Sequence, residues 1–305
     1  MALRRQASFN PTLTNYAQGY TQALDRALAE YFAPTVRVNS AIGAYKMLSD
    51  KAAFQAVNTA RALGGKARRI EFSETDPTYN CQPQALEITI DDAERDGAGD
   101  EQAPLEEGKT RTLISTAVVS HEDKVMTVAK TLAAVGGIGQ WGDEGANPIK
   151  ELDAQIEAIA KDTGMLPNAI AFGLGAWNVF RNHPAVIKRF PGAAVVGVTP
   201  AQAQSLLLNP GIEVRWGILS KDLTKLGATA SKTNIIGAEV FIFIRSQNPT
   251  TYDASWMKTF TVGSGSVTGV RTFRDESARS DILAVDWSED IQITSTVAAR
   301  RISIS

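Results

Sequence analysis

Apolar residues recur along this chain with two different periods, and the switches between them mark its parts. Between Thr21 and Tyr31 (TQALDRALAEY), Ala23, Leu24, Ala27, Leu28 and Tyr31 fall at helical spacing, and Pro34 then stops the pattern. The spacing predicts one short amphipathic helix with extended chain on both sides. A helix of that length does not stand alone in water, so it must dock on something. From Val36 to Ile90 the period shortens to β-like runs, VRV, IGAYKML, RRIEF and LEITI, separated by polar stretches bearing glycine and proline. Gly64-Gly65 is the clearest reversal, a short helix is expected around Lys51 to Leu63, and the runs carry little apolar area for a core of their own. A projecting hairpin is the natural reading.

After the acidic, loop-like DDAERDGAGDEQAPLEEG comes the longest helical pattern. Leu113, Ala117, His121, Val125, Val128 and Leu132 recur at three and four, widened by Ile114 and Val118, and Gly136-Gly137 ends the run. Residues 106 to 134 therefore predict one helix of ~43 Å at 1.5 Å per residue. His121 lies on its buried stripe, as a satisfied core or boundary histidine rather than a catalytic one. The middle of the chain alternates helix and strand. Asn147 caps and Pro148 opens a helix faced by Ile149, Leu152, Ile156 and Ile159, and Gly164 closes it. A buried strand is expected over 169–172, short helices over 177–181, 184–190 and 200–208, and strands over 213–218 and 240–244. From Trp256 onward the pattern is β-rich: WMKTFTV, VTGVRTF, ILAVDW and IQITST. There is no internal repeat and no low-complexity tract.

Composition narrows the chemistry. The 305 residues suffice for about two domains, and 44% hydrophobic with 21% charged residues is the balance of a globular chain. No run of about 18 uncharged apolar residues could span a bilayer, and no apolar core follows the basic N-terminus as in a signal peptide, so the chain is expected to be cytoplasmic at synthesis. Cys81 is the only cysteine, which removes internal disulfides and multi-cysteine zinc sites, and neither His121 nor His183 sits in an H-E-x-x-H pattern. The net charge of -2 conceals an asymmetry. Ten basic residues face three acidic ones from Met1 to Arg69, whereas twelve acidic residues face Arg95 alone from Ile70 to Gly108. Such halves suit contact between copies of one chain, where opposite potentials align neighbours before apolar surfaces meet; two solvated surfaces are the alternative.

One stretch invites a nucleotide. In GGIGQWG, Gly137, Gly139 and Gly142 stand at the G-x-G-x-x-G spacing. That fingerprint needs a strand before it and a helix N-terminus directly after it. Here the end of a long helix precedes it, Asp143 and Glu144 follow it, and the next helix begins five residues too late, so a bend without ligand is expected. GLGAWN at 173–178 lacks the third glycine and reads as close backbone packing; GSGSVTG at 263–269 reads as a β-turn loop. No G-x-S-x-G turn singles out a nucleophile. The expectation is no catalytic, no cofactor-binding and no metal residue, no cofactor, and a protein that is not an enzyme.

The order of parts is more specific than any motif. The stretch NPIKELDAQIEAIAKDTGMLPNAIAFGLGAWNVFRNHPAVIKRF, residues 147–190, resembles a segment of tailed-phage major capsid proteins, with Gly164, Pro167-Asn168, Gly173, Trp177 and His183-Pro184 in the family's order. TDPTYNCQPQALEITIDDAERDGA (75–98) is similar to that family's return from its projecting loop, and GAEVFIFIRSQNPTTYDASWMKTFTV (237–262) to its re-entry into the peripheral domain. The resemblance spans about residues 35 to 262. It implies an α+β chain of the Hong Kong 97-type capsid fold: an N-arm at 1–40, an E-loop at 41–90, a P-domain with its spine helix at 91–145, an A-domain at 146–236, and a P-domain return at 237–305. Arm and hairpin would find their apolar partners on neighbouring copies, flexing at Gly43, Gly64-Gly65 and 97–108.

The implied function is a major capsid protein that self-assembles as pentamers and hexamers into an icosahedral shell enclosing double-stranded DNA, a virion component assembled in the bacterial host cytoplasm. The implied partners are further copies of the chain, separate portal and decoration proteins, and packaged DNA held by weak nonspecific contact, with no membrane. No extension of about 100 residues precedes the arm, so a separate scaffold protein, or none, is implied. The alternative is an encapsulin-type nanocompartment shell packaging an enzyme cargo.

Overall fold

The computed structural model describes residues 8–9, 27–45, 47–48, 59–61, 64–66, 74–98, 102–190, 197–224, 229, 231–263 and 269–305. Two β-sheets and one long helix organise them. The first sheet runs β1 (Ser8–Phe9), β14 (Val270–Asp275), β15 (Ser280–Ile293), β13 (Met257–Val262), β2 (Thr35–Val38), with β7 (Gln82–Asp91) also paired to β15. The second runs β16 (Ala299–Ser303), β12 (Glu239–Phe243), β8 (Ala169–Gly173), β9 (Glu213–Gly217). In the second sheet β8 and β12 are buried at every position, which explains why VFIF is apolar on both faces.

The long helix, Gln102–Ala129, serves both sheets. Its Leu113, Ile114, Ala117 and Val118 pack with Ile90, Val270, Leu283, Val285 and Trp287 of the first sheet. One turn and more further along, Val125, Met126 and Ala129 enter the core of the second. Three of its hydroxyls are satisfied within the helix, where Thr112, Thr116 and Thr127 each donate to the carbonyl four residues back, whereas the buried Thr110 hydroxyl finds no partner. The helix Pro148–Thr163 has the ends its sequence predicts. The Asn147 side chain accepts from Lys150 N at 3.2 Å, and Gly164 closes the helix at φ 70°.

Several expectations change. The acidic stretch after β7 is a helix, Asp92–Ala98, rather than a loop, and the long helix starts at 102 rather than 106. Asp92 and Glu94 suit a helix start, and cross-pairs Glu94–Lys109 and Arg95–Glu106 tie the two helices together despite Gly97 and Gly108. Strand β7 lies in the first sheet for ten residues, so the end of the expected loop segment at 41–90 belongs to the body. Of the expected hairpin, the described residues show two short pairings, β3 (Ile42–Ala44) with β6 (Thr78–Asn80) and β4 (Met47–Leu48) with β5 (Glu74–Thr75). Gly43 is a packing position there, since a Cβ would overlap the Tyr79 ring. ILAVDW and IQITST form one strand, and the boundary expected at 236/237 cuts the second sheet, whose β12 and β16 come from the segment assigned to the first. Helix 51–63 and strand 68–72 fall almost wholly outside the described residues.

The largest correction concerns the arm. Residues 21–26 of the helix expected over 21–31 lie outside the described residues; at the described end of the arm a four-residue helix is observed at Ala29–Phe32, and residues 28–38 bury their apolar side chains in their own chain instead of waiting for a neighbour. Phe32 lies 5.0 Å from Phe243, 5.3 Å from Phe241 and 6.0 Å from Trp256 between ring centres. Tyr31 donates to the Glu213 carbonyl at 2.7 Å, with the guanidinium groups of Arg215 and Arg245 both within 5 Å of its ring. Strand β2 then pairs in parallel with β13. Replacing Phe32 by Ala is expected to cost about 3–5 kcal/mol, read as a lower urea midpoint, whereas Ile42→Ala, at a side chain 64% exposed, should move the midpoint by less than about 0.5 kcal/mol equivalent.

Candidate functional site

The glycine bend is a strap along the C-terminal strand. Beyond the long helix, Val135 N donates to Arg301 O (2.8 Å), Gly142 N to Ser305 O (3.2 Å) and Ser305 N back to Gly139 O (3.0 Å). Gly137 and Gly139 take φ of +76° and +93°, and a Cβ on Gly139 would overlap the Ser303 carbonyl. The ligands of the bend are internal: Glu151 Oε2 accepts from Gly139 N at 2.9 Å and from Trp141 Nε1 at 2.7 Å. A carboxylate from the first turn of the next helix thus sits where a phosphate would have to bind, and Asn147 already caps that helix. His183 fastens the far end, with Nε2 against the Asp143 carbonyl at 3.1 Å and Nδ1 accepting from Ala185 N. Gly173 is likewise a close approach, because a Cβ there would overlap the Gly237 carbonyl. Of the third glycine motif, residues 264–268 lie outside the described residues.

Two carboxylates meet the long helix in contrasting surroundings. Glu289 of β15 is buried, which pushes its carboxyl up, but His121 Nδ1 at 2.6 Å and Lys124 Nζ at 2.7 Å outweigh that and hold it down to about 2. His121 is therefore the boundary histidine its position implied. Glu122, 1% exposed, accepts from Leu28 N at 2.7 and 3.0 Å and from Ala29 N at 2.7 Å. It caps a helix whose own N-cap residue, Leu28, supplies no side-chain acceptor. Burial drives its carboxyl up to about 7 against the pull of those two amides and of His121. Sequence reasoning passed over Glu122; an acid between two apolar turns of the helical stripe was the available signal.

No group of three His, Cys, Asp or Glu side chains that could hold a metal is found among the described residues. What the chain presents outward is apolar side chains and charge. Leu223 (78% exposed), Tyr252 (69%) and Ile42 stand clear of the body, and Met165, Leu166 and Leu208 are exposed on the segments leading into β8 and β9. The acidic stretch is less free than its composition implied. Asp92 pairs with Arg274 (2.5 Å), Glu94 with Lys109 (2.8 Å) and Glu106 with Arg95 (2.9 Å).

Two measurements check these assignments. Gly139→Ala, at positive φ and against the Ser303 carbonyl, should destabilise by more than about 1 kcal/mol in urea unfolding. Glu289, held below its ordinary 4.5, contributes stability that is present above that value and is lost as pH falls toward about 2; an E289Q variant should lose about 2–3 kcal/mol at pH 7 and show a flatter acid limb between pH 4.5 and 2.

No family model matches the chain. A curated relative, the major capsid protein of Pseudomonas phage JBD67, is 25% identical over 190 residues. That match covers 60% of this chain, and the chain spans only 60% of the relative's length. Among solved structures, a phage-related protein from Bordetella bronchiseptica RB50 is 21% identical with a TM-score of 0.72, covering 98% of both chains. The capsid of cyanophage P-SCSP1u gives a TM-score of 0.55 at 8% identity over 90% of this chain and 86% of the other. A virus-like particle from Pyrococcus furiosus gives 0.53 at 8% identity over 95% and 98%. The chain thus has the mixed α and β fold of phage capsid structures, the Hong Kong 97-type fold that the resemblance implied.

Proposed function

We propose that this chain is the major capsid protein of a tailed phage, self-assembling as pentamers and hexamers into an icosahedral shell that encloses double-stranded DNA. The observation that carries the reading is the likeness of fold, over nine-tenths of the chain, to the cyanophage P-SCSP1u capsid structure. The printed name of the JBD67 relative supports it. Within this reading the base at β3–β6 carries the extended loop, the first sheet with the long helix forms the peripheral domain, and the second sheet with its helices forms the domain that meets its symmetry mates. The role is architectural and uses no catalytic group; exposed Leu223, Tyr252, Ile42, Met165, Leu166 and Leu208 are offered as contacts between copies. Separate scaffold, portal and decoration proteins would complete the particle, and contact with DNA would be weak, because a net acidic chain neutralises few phosphates.

The likeness to the Pyrococcus furiosus particle favours a second reading, a nanocompartment shell around an enzyme cargo. Negative-stain microscopy of the purified protein should show closed shells with fivefold and sixfold capsomers. Particles from the native source should contain nuclease-protected DNA; a protein cargo instead would select the second reading. A chain that stays a single copy at high concentration under all assembly conditions would sink both.

A further inference from the structure

Strand β7 is ten residues long and has β15 as its only strand neighbour among the described residues, so its other side is a sheet edge. Two features show which residues face that side. Pro83 has no N–H to give the ladder, which puts its nitrogen on the outer edge. Backbone groups alternate sides along an antiparallel strand, so Ala85, Glu87 and Thr89 face outward with it. Lys109 agrees, because it reaches from the long helix to donate from Nζ to the Thr89 carbonyl at 3.4 Å. Side chains alternate in step: Pro83, Ala85, Glu87 and Thr89 are exposed, while Leu86, Ile88 and Ile90 turn to the core. Pro83 and Lys109 thus bound a window in which the N–H and C=O groups of Ala85 and Glu87 stand open. Such groups pair readily with another extended chain.

The charge of the edge says which chain. Asp92 and Glu94 are paired with Arg274 and Lys109, but among the described residues Glu87 and Asp91 have no cation within ion-pair distance. The first 69 residues, by contrast, hold ten basic residues against three acidic ones. Pairing β7 with β7 of another copy would set two acidic edges side by side, which is unfavourable. We propose that the outer edge of β7 is a strand-docking site for a second copy, whose basic first 69 residues supply an extended segment that adds to the first sheet between Pro83 and Thr89. Main-chain hydrogen bonds to Ala85 and Glu87 would hold the segment, and its cations would face the Glu87 and Asp91 carboxylates. The proposal rests on the shell reading and names one contact within it.

Hydrogen exchange on the full-length protein, unassembled and as purified shells, tests this. The amides of Ala85 and Glu87 should exchange roughly tenfold more slowly or better in shells, whereas those of Leu86 and Ile88, already turned to β15, should change little. Glu87→Lys should lower the yield of shells at least several-fold while leaving the urea midpoint of the unassembled chain unchanged. In shells built from isotopically light and heavy chains, hydrogen bonding across the edge should bring Glu87 of one copy next to the first 69 residues of another, read by photo-cross-linking from position 87 and mass spectrometry. Shells in which the Ala85 and Glu87 amides exchange as fast as before, or in which position 87 cross-links only to its own chain or beyond residue 69 of its neighbour, would overturn the docking and leave the shell reading standing. A chain that forms no shells would sink both.

Discussion

Burial of the Phe32 ring between the second sheet and Trp256 is the contact on which the rest of the molecule depends. It joins four stretches far apart in sequence: the arm segment, β12, the residues leading into β13, and, through the shared core, the end of the long helix. Aromatic rings bury large areas and prefer the edge and offset geometries found here, so one side chain can hold several elements at fixed angles. Because β13 continues into the first sheet, the same cluster sets how the two sheets lie relative to each other. The long helix repeats that function at larger scale, with its early turns on one core and its last turns in the other.

The polar network follows from this packing. Once residues 28–38 lie across the molecule, the free amides at 28 and 29 face the long helix, and Glu122 meets a need that no side chain of the arm supplies. Glu289, on β15 and also buried, lies beside His121 and Lys124. One carboxylate on the helix and one facing it are thus pushed in opposite directions, because burial prevails at Glu122 while His121 and Lys124 outweigh it at Glu289.

The same logic connects the fold to the proposed role. A shell subunit must keep a rigid body while presenting surfaces to its copies. Rigidity is provided by the strap of Gly136–Gly142 along β16, the caps at Asn147 and His183, and ion pairs such as Arg301 with Glu239 at 2.5 Å. The apolar side chains left outward, Leu223 and Tyr252 above all, stand away from these fixed parts.

By itself the sequence determined the local elements. The helix at 148–163 was legible because its cap, its opening proline and its closing glycine act over a few residues, and β8 and β12 because a strand buried on both faces must be apolar throughout. The glycine bend was legible as a bend because the residues around it contradict a phosphate site. The resemblance in order of parts also led to the observed fold. Only the tertiary structure decided where the arm's apolar residues go, that β7 joins the body, that 92–98 is a helix, that β16 completes the second sheet, and which acids are paired. Each of these depends on a partner dozens to hundreds of residues away: Phe32 on Phe243, Glu122 on Leu28, Asp92 on Arg274. A pattern of neighbouring residues records the period of an element but not the identity of what it meets, because packing joins surfaces whose separation along the chain is set by the fold and not by any local spacing.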